Sequence, residues 1–393
     1  MTSGSRKFLL LSRRCALGGF LAVAFVAAVP PARAMETLAR QAFLMDTTTG
    51  ATLFEKEADQ FMAPASMSKM MTAYMIFERL RDGRLSLDDS FPVSENAWRK
   101  GGAKSGGSTM FLEPGTRVRV EDLLRGIIVQ SGNDACIVAA ESLSVSEDAF
   151  ADEMTIKGRE LGLADTVFKN ATGWPDPEHL TTARDLSILA ARTIEDFSEY
   201  YHYYADKNFT YNGIRQGNRN PLLYKDIGAD GLKTGHTSGS GYGLAASVVR
   251  GDRRLILVVN GLPSVKARSR ESERLIEWGI REFKNYALFK RGEMVTDVPV
   301  WLGGSELVGA YVEDDIVITL AKDARRDMKV SVRYEGPVPA PIAAGDVIAT
   351  LSVTAPRMEP IERPLRAVAP VHQLGVFRRL GAALKSILWG VSG

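Results

Sequence analysis

Cysteine and histidine are scarce: two cysteines and four histidines in 393 residues. Cys15 lies in an N-terminal apolar run, so Cys136 stands alone in the rest of the chain and an internal disulfide is excluded there. The neighbours Ala135, Ile137, Val138 and Ala139 mark Cys136 as a small buried apolar residue. His179, His202 and His372 are far apart and lack metal-ligand spacing, so neither a metal nor another cofactor is expected. An excess of one charge is also missing. The chain has 49 basic and 47 acidic residues, with 45% hydrophobic residues, which excludes a disordered chain and a polybasic nucleic-acid binder. There is no internal repeat, low-complexity tract, glycine-rich phosphate loop or dinucleotide fingerprint.

The near-neutral sum hides an asymmetry. Residues 1–34 carry Arg6, Lys7, Arg13, Arg14 and Arg33 and no acid, which leaves the remainder net acidic. Basic residues, the apolar run Cys15–Val29 and the A-x-A pattern Ala32-Arg33-Ala34 read as a secretory signal peptide. The run falls short of the ~20 apolar residues that a membrane span needs. Export is therefore expected.

From residue 35 to 288 the pattern mixes helix and strand. Ala42–Asp46 and Thr52–Glu55 read as a hairpin around Thr47–Gly50. Ser66–Arg81, Leu123–Val129, Asn133–Leu143, Thr182–Ile194 and Arg270–Lys284 read as helices. Gly231–Thr237, Tyr242–Arg250 and Arg254–Asn260 read as strands, the last two joined at Gly251-Asp252. Residues 289–370 contain only short strand-like runs, broken by Gly304, Gly336-Pro337 and Pro339–Pro341, and read as a small all-β domain. In 371–393, Val376, Phe377, Leu380, Ala383, Leu384, Ile387, Leu388 and Val391 recur at helical spacing. With Arg378, Arg379 and Lys385 off that stripe and Trp389 near its end, this predicts an amphipathic helix lying in a membrane surface.

Three motifs carry chemistry. Ser66-Met67-Ser68-Lys69 opens a helix, so the hydroxyl and the amine share a face. A neutral lysine can take the serine's proton if burial or a nearby cation lowers its pKa. Ser131-Gly132-Asn133 sits at a break between two helices, where a hydroxyl and an amide can point into a cleft. Lys233-Thr234-Gly235, followed by His236, lies on a strand whose glycine admits a ligand backbone. K-T-G is expected by chance only ~0.1 times in this length.

On these motifs the chain resembles the penicillin-recognising serine D,D-peptidases, specifically the low-molecular-mass penicillin-binding proteins that act as D-alanyl-D-alanine carboxypeptidases. The likeness extends through Pro64–Thr72, Tyr211–Asn220, Asp230–Thr237, Lys266, Arg268 and Trp278. It implies an α+β fold of the D,D-peptidase/β-lactamase kind, a five-stranded antiparallel sheet flanked by helices, followed by a small all-β domain. It implies Ser66 as nucleophile, Lys69 as base and Ser131 as proton relay to the leaving nitrogen. Lys233 is expected to keep Lys69 neutral, and Asn133 to hold the substrate amide and Lys69. Gly235 belongs to the substrate-binding strand, and His236 contributes its main-chain N–H, with that of Ser66, to an oxyanion hole. Thr234 and Arg268 are expected to bind the terminal carboxylate. The implied substrate is a peptidoglycan stem peptide ending in D-Ala-D-Ala, with β-lactams as inhibitors, at the periplasmic face of the inner membrane. Arg184 and Asp185 read as holding a loop by the cleft, and Arg219 as structural. A β-lactamase using Glu178, a D,D-endopeptidase and a non-catalytic wall-binding protein remain as alternatives.

Overall fold

The computed structural model describes residues 35–375. The expected leader, 1–34, and residues 376–393 of the expected terminal helix lie outside them.

The strands of the first part are β1 (Gln41–Asp46), β2 (Thr52–Lys56), the short ribbons β3 (Ser90–Pro92) with β4 (Arg117–Arg119) and β5 (Asn208–Tyr211) with β6 (Ile214–Gly217), then β7 (Ala229–Thr237), β8 (Gly241–Arg250) and β9 (Arg253–Leu262). The main sheet runs β2-β1-β9-β8-β7 and is antiparallel throughout. Its hairpins are local. The Asp46 carboxylate accepts from Thr48 N at 2.9 Å in the first turn, and Gly251, at φ +65°, closes the last. The chain ends of this sheet therefore come from distant sequence, with β1 paired to β9 in the middle and β7 left on an edge.

Strand alternation divides the core. Phe43, Ala245, Ile256 and Val258 point to the larger core, shared with α1 (Lys69–Arg81), α2 (Glu95–Gly101), α3 (Val120–Arg125), α4 (Asn133–Leu143), α5 (Glu147–Glu160) and α6 (Ala183–Asp196). Leu44, Leu53 and Leu255 point the other way, against Gly279 of α7 (Val265–Glu282). Each fully buried Leu, Ile or Val contributes about 1.5–3 kcal/mol.

Both ends of the helix read as Arg270–Lys284 differ from the sequence reading. Helix α7 starts at Val265, not Arg270, because Ser264 Oγ accepts from Ala267 N at 3.0 Å and caps it. It stops at Glu282, because β10 (Phe283–Phe289) is drawn into pairing with β13 (Ile316–Ala321). The second part continues with β11 (Met294–Trp301), β12 (Leu307–Val312), β14 (Lys329–Arg333), β15 (Val338–Pro339), β16 (Val347–Thr354) and β17 (Ile361–Ala367). A six-stranded sheet, β14-β16-β17-β12-β11-β15, closes on Val298, Ala310, Ile318, Leu351 and Leu365. Val371 and Gln373, expected in the terminal helix, instead bridge to Ile342 and Gly303.

Candidate active site

Ser66 sits in a 3-10 turn, Ala65–Ser68, that runs into α1. Its flanking residues Ala65, Met67, Ser68 and Lys69 are buried, whereas Ser66 is half-exposed. The turn is held from behind. Ala65 adopts φ +50°, and Gly173 lies so close that a Cβ there would stand 1.8 Å from Ala65 O. Across the turn, a Cβ on Gly235 would stand 2.8 Å from Pro64 O, so glycine is what lets β7 lie against it.

Lys69 is 1% exposed. Its Nζ is 3.1 Å from Ser66 Oγ, 2.8 Å from Asn133 Oδ1 and 2.5 Å from Thr172 O. The amide oxygen and the carbonyl can only accept, so they take two N–H bonds. A neutral amine then has its lone pair free for the serine hydroxyl. Burial is the main cause that lowers the Lys69 pKa, and the Arg219 charge adds to it, against Cys136, Asp134 and Glu147. The sequence reading allowed burial or a nearby cation, with Lys233 as the helper; of the two, burial comes first. Lys233 is itself held well below its ordinary value by burial and then by Lys69.

Ser131 ends a π-turn, Gly126–Gln130, with φ +61° and ψ 31°. A non-glycine residue in this left-handed region costs about 1–3 kcal/mol. The conformation places its Oγ 3.0 Å from Lys233 Nζ. Asn133 then starts α4, anchored because its N–H donates to Ser108 O at 2.8 Å. The next residue, Asp134, is fully buried and accepts from Thr109 Oγ1, Met110 N and Leu112 N at 2.6, 2.9 and 3.1 Å. It ties the 109–112 segment to the start of α4.

On β7, Thr234 is buried and His236 is exposed, its ring stacked on Tyr242 at 3.9 Å between centroids. Arg268, in the first turn of α7, is 6% exposed. It reaches only Gly243 O at 3.5 Å and Arg219 O at 3.4 Å, and its Nε has no partner among the described residues. Burial lowers its pKa to about 10, so it keeps its proton near neutrality. Arg219 donates to Ser108 Oγ. Among the described residues, none of Lys69, Lys233, Arg219 and Arg268 forms an ion pair with a carboxylate. Two arginines without a carboxylate partner among the described residues, Arg268 buried and Arg219 exposed, favour an anionic ligand beside them.

The structure thus joins Ser66 and Asn133 through Lys69, joins Ser131 to Lys233, and sets Gly235 of β7 against the Ser66 turn; Thr234 and His236 flank Gly235, and Arg268 reaches the facing Gly243. Arg184 and Asp185 stand apart from that chemistry. Arg184 pairs with Asp59 at 2.6 Å and Glu55 at 2.9 Å, while Asp185 accepts from Asp165 N and Thr166 Oγ1. Glu178 is exposed and paired with Lys169 at 2.9 Å. Cys136 is buried, and burial pushes its thiol up to about 12. Among the described residues no cluster of three or more His, Cys, Asp or Glu side chains could hold a metal ion. Sequence reasoning missed Thr172, Gly173, Asp134 and Tyr242. Of these, only Gly173 carries a sequence signal, as a turn glycine in Ala171–Trp174.

Residues 26–264 match the family described as D-alanyl-D-alanine carboxypeptidase, and 283–369 match the C-terminal domain of penicillin-binding protein 5. The chain is 37% identical to the D-alanyl-D-alanine carboxypeptidase DacC of Escherichia coli over 345 residues, covering 87% of this chain and 86% of that one. The crystal structure of penicillin-binding protein 5 from Haemophilus influenzae superposes with a TM-score of 0.76 at 35% identity, covering 86% of this chain and 99% of that one. Penicillin-binding protein 6B from Escherichia coli gives 0.70 at 34% identity, over 84% and 95% of the two chains. With a family match over more than half of its length and a relative 37% identical along most of it, the chain belongs to the D-alanyl-D-alanine carboxypeptidase family of serine peptidases.

Proposed function

We propose that the protein removes the terminal D-alanine from peptidoglycan pentapeptide stems through an acyl-serine intermediate, and that β-lactams acylate the same serine. Ser66 Oγ attacks the carbonyl between the two D-alanines while its proton passes to Lys69 Nζ. The developing oxyanion is met by the main-chain N–H groups of Ser66 and His236. Ser131, polarised by Lys233, gives its proton to the departing nitrogen and regains one from the Lys69 ammonium, and the C–N bond breaks. Asn133 holds the substrate amide, and Thr234 and Arg268 hold the carboxylate of the leaving D-alanine. Water then attacks the acyl carbon and frees Ser66. A β-lactam opens in the first step, but its amine stays tethered and the acyl group persists.

The observation that carries this reading is Lys69 Nζ at 3.1 Å from Ser66 Oγ with its other two contacts fixed to acceptors. The test is D-alanine release from a diacyl-D-Ala-D-Ala peptide, with mass spectrometry of the penicillin-treated protein. Ser66→Ala loses both release and adduct; retained release overturns the assignment. The exposed Glu178, paired with Lys169, gives no support to rapid β-lactam turnover.

The same reading includes export after removal of residues 1–34, a catalytic domain over 35–288, a β domain over 289–370 and residence at the periplasmic membrane face. Among the described residues no helix is long and apolar enough to cross a membrane. Attachment therefore rests on the amphipathic pattern of 376–391 lying in the surface. A chain ending at Gly375 is expected to keep activity on soluble peptide and to stop sedimenting with anionic vesicles. Continued sedimentation refutes the anchor.

A further inference from the structure

Arg268 is held unusually loosely for a buried arginine. Its two hydrogen bonds, to Gly243 O and Arg219 O, are at the outer limit of length, and Nε has no acceptor among the described residues. No carboxylate among the described residues pairs with it. What remains to fix the plane of the guanidinium is the ring of Tyr242, whose centroid is 5.8 Å from Cζ. Tyr242 is half-buried on β8, directly opposite His236 in register, and its ring also stacks on the His236 ring at 3.9 Å and 27°. One aromatic ring therefore touches both the arginine on α7 and the last residue of the K-T-G-H strand. The step between them, Gly235 opposite Gly243, has no side chains that could fill that role.

We propose that Tyr242 is a positioning residue that aims Arg268, and with it the carboxylate end of the cleft, for substrates that finish in a free carboxylate. This rests on the reading of Arg268 as the carboxylate ligand. The ring, rather than the phenol, carries the effect.

The test uses the full chain with Tyr242→Leu, Tyr242→Phe, Arg268→Gln and the Leu/Gln double variant. Each is assayed on a diacyl-D-Ala-D-Ala peptide and against phenylboronic acid, a Ser66 ligand without a carboxylate. Tyr242→Leu is expected to lower kcat/KM on the peptide about tenfold, mainly through KM, with boronate inhibition unchanged. Tyr242→Phe recovers most of the loss, and the double variant is no worse than Arg268→Gln alone. Boronate affinity falling in parallel, or a double variant showing the full product of both losses, overturns the proposal. If Arg268→Gln lowers peptide activity relative to boronate binding and Tyr242→Leu does not, only the role of Tyr242 falls. If Arg268→Gln leaves that ratio unchanged, the carboxylate assignment falls, and the proposal with it.

Discussion

Asn133→Asp changes one atom type at a position 2.8 Å from the base. The variant places a carboxylate oxygen where Asn133 Oδ1 now accepts from Lys69 Nζ, and both side chains are buried, at 4% and 1% exposure. At an effective dielectric of about 20, opposite charges at that separation attract by about 6 kcal/mol. That is a factor of about 10⁴ in favour of the lysine ammonium. Desolvation of the new carboxylate offsets part of it. Lys69 is then protonated near neutrality, and its lone pair is no longer available to Ser66. Acylation by benzylpenicillin, followed by stopped flow, is expected to fall by about 10²–10⁴ at pH 7 and to recover as the pH is raised. Asn133→Ala removes the acceptor without adding charge. Its loss corresponds to about 1–2 kcal/mol and alkali does not rescue it. An Asp variant whose acid limb superimposes on that of the unaltered protein refutes Lys69 as the base.

Two further outcomes concern the loop behind Ser66. Gly173→Ala sets a methyl 1.8 Å from Ala65 O at φ +80°, so it is expected to cost about 3 kcal/mol or more in chemical denaturation and to abolish penicillin labelling. His179, whose Nε2 lies 2.8 Å from Ser68 Oγ, is held neutral by burial, with its pKa lowered from 6.5 to about 4. The unfolded chain takes up this proton first as pH falls, so stability is full above pH 6.5 and is lost by about 3 kcal/mol on the way down to pH 4. Denaturation midpoints of His179→Gln are expected to flatten over that window; an unchanged slope refutes the attribution.

The parts of this molecule that were legible in sequence are those fixed by local chemistry or by side-chain identity. The β1–β2 turn, the strand boundaries around Gly251 and the start of α4 follow from residues within a few positions of one another. So do α2 and α5, whose caps, Ser94 and Ser146, precede acidic first turns and could have been read. The end of α7 could not. Leu275, Ile276, Ile280 and Phe283 keep helical spacing, and only the distant strand β13 converts Phe283 to β structure. In the site, the named side chains were visible because their chemistry is unusual in combination. Thr172 was not, since what it contributes is a carbonyl, which every residue has. Nor was the left-handed backbone of Ser131, which nothing in its side chain requires.

That distinction bears on how the base is made. The sequence leaves burial and a nearby cation both open, and offers Lys233 as the cation. In the structure the larger influence on Lys69 is loss of water, and two of the acceptors that hold its amine, Thr172 O and Asn133 Oδ1, belong to the 165–182 loop and to α4. Thr172 O receives one Lys69 hydrogen, Thr72 Oγ1 donates to Ala171 O at 2.7 Å, and Asn170 Oδ1 accepts from Thr172, Gly173 and Trp174 N–H groups. The loop is thus knotted on Asn170 and pinned to α1 on either side of the base. A substitution that loosens it is expected to readmit water to the amine and raise its proton affinity, which a slower penicillin acylation at neutral pH would report. Arg268 depends on its surroundings in the opposite sense: burial lowers its pKa only to about 10, and it stays a cation. The same burial lowers the proton affinity of Lys69 and of Arg268, and because the guanidinium starts from the higher value it keeps its charge.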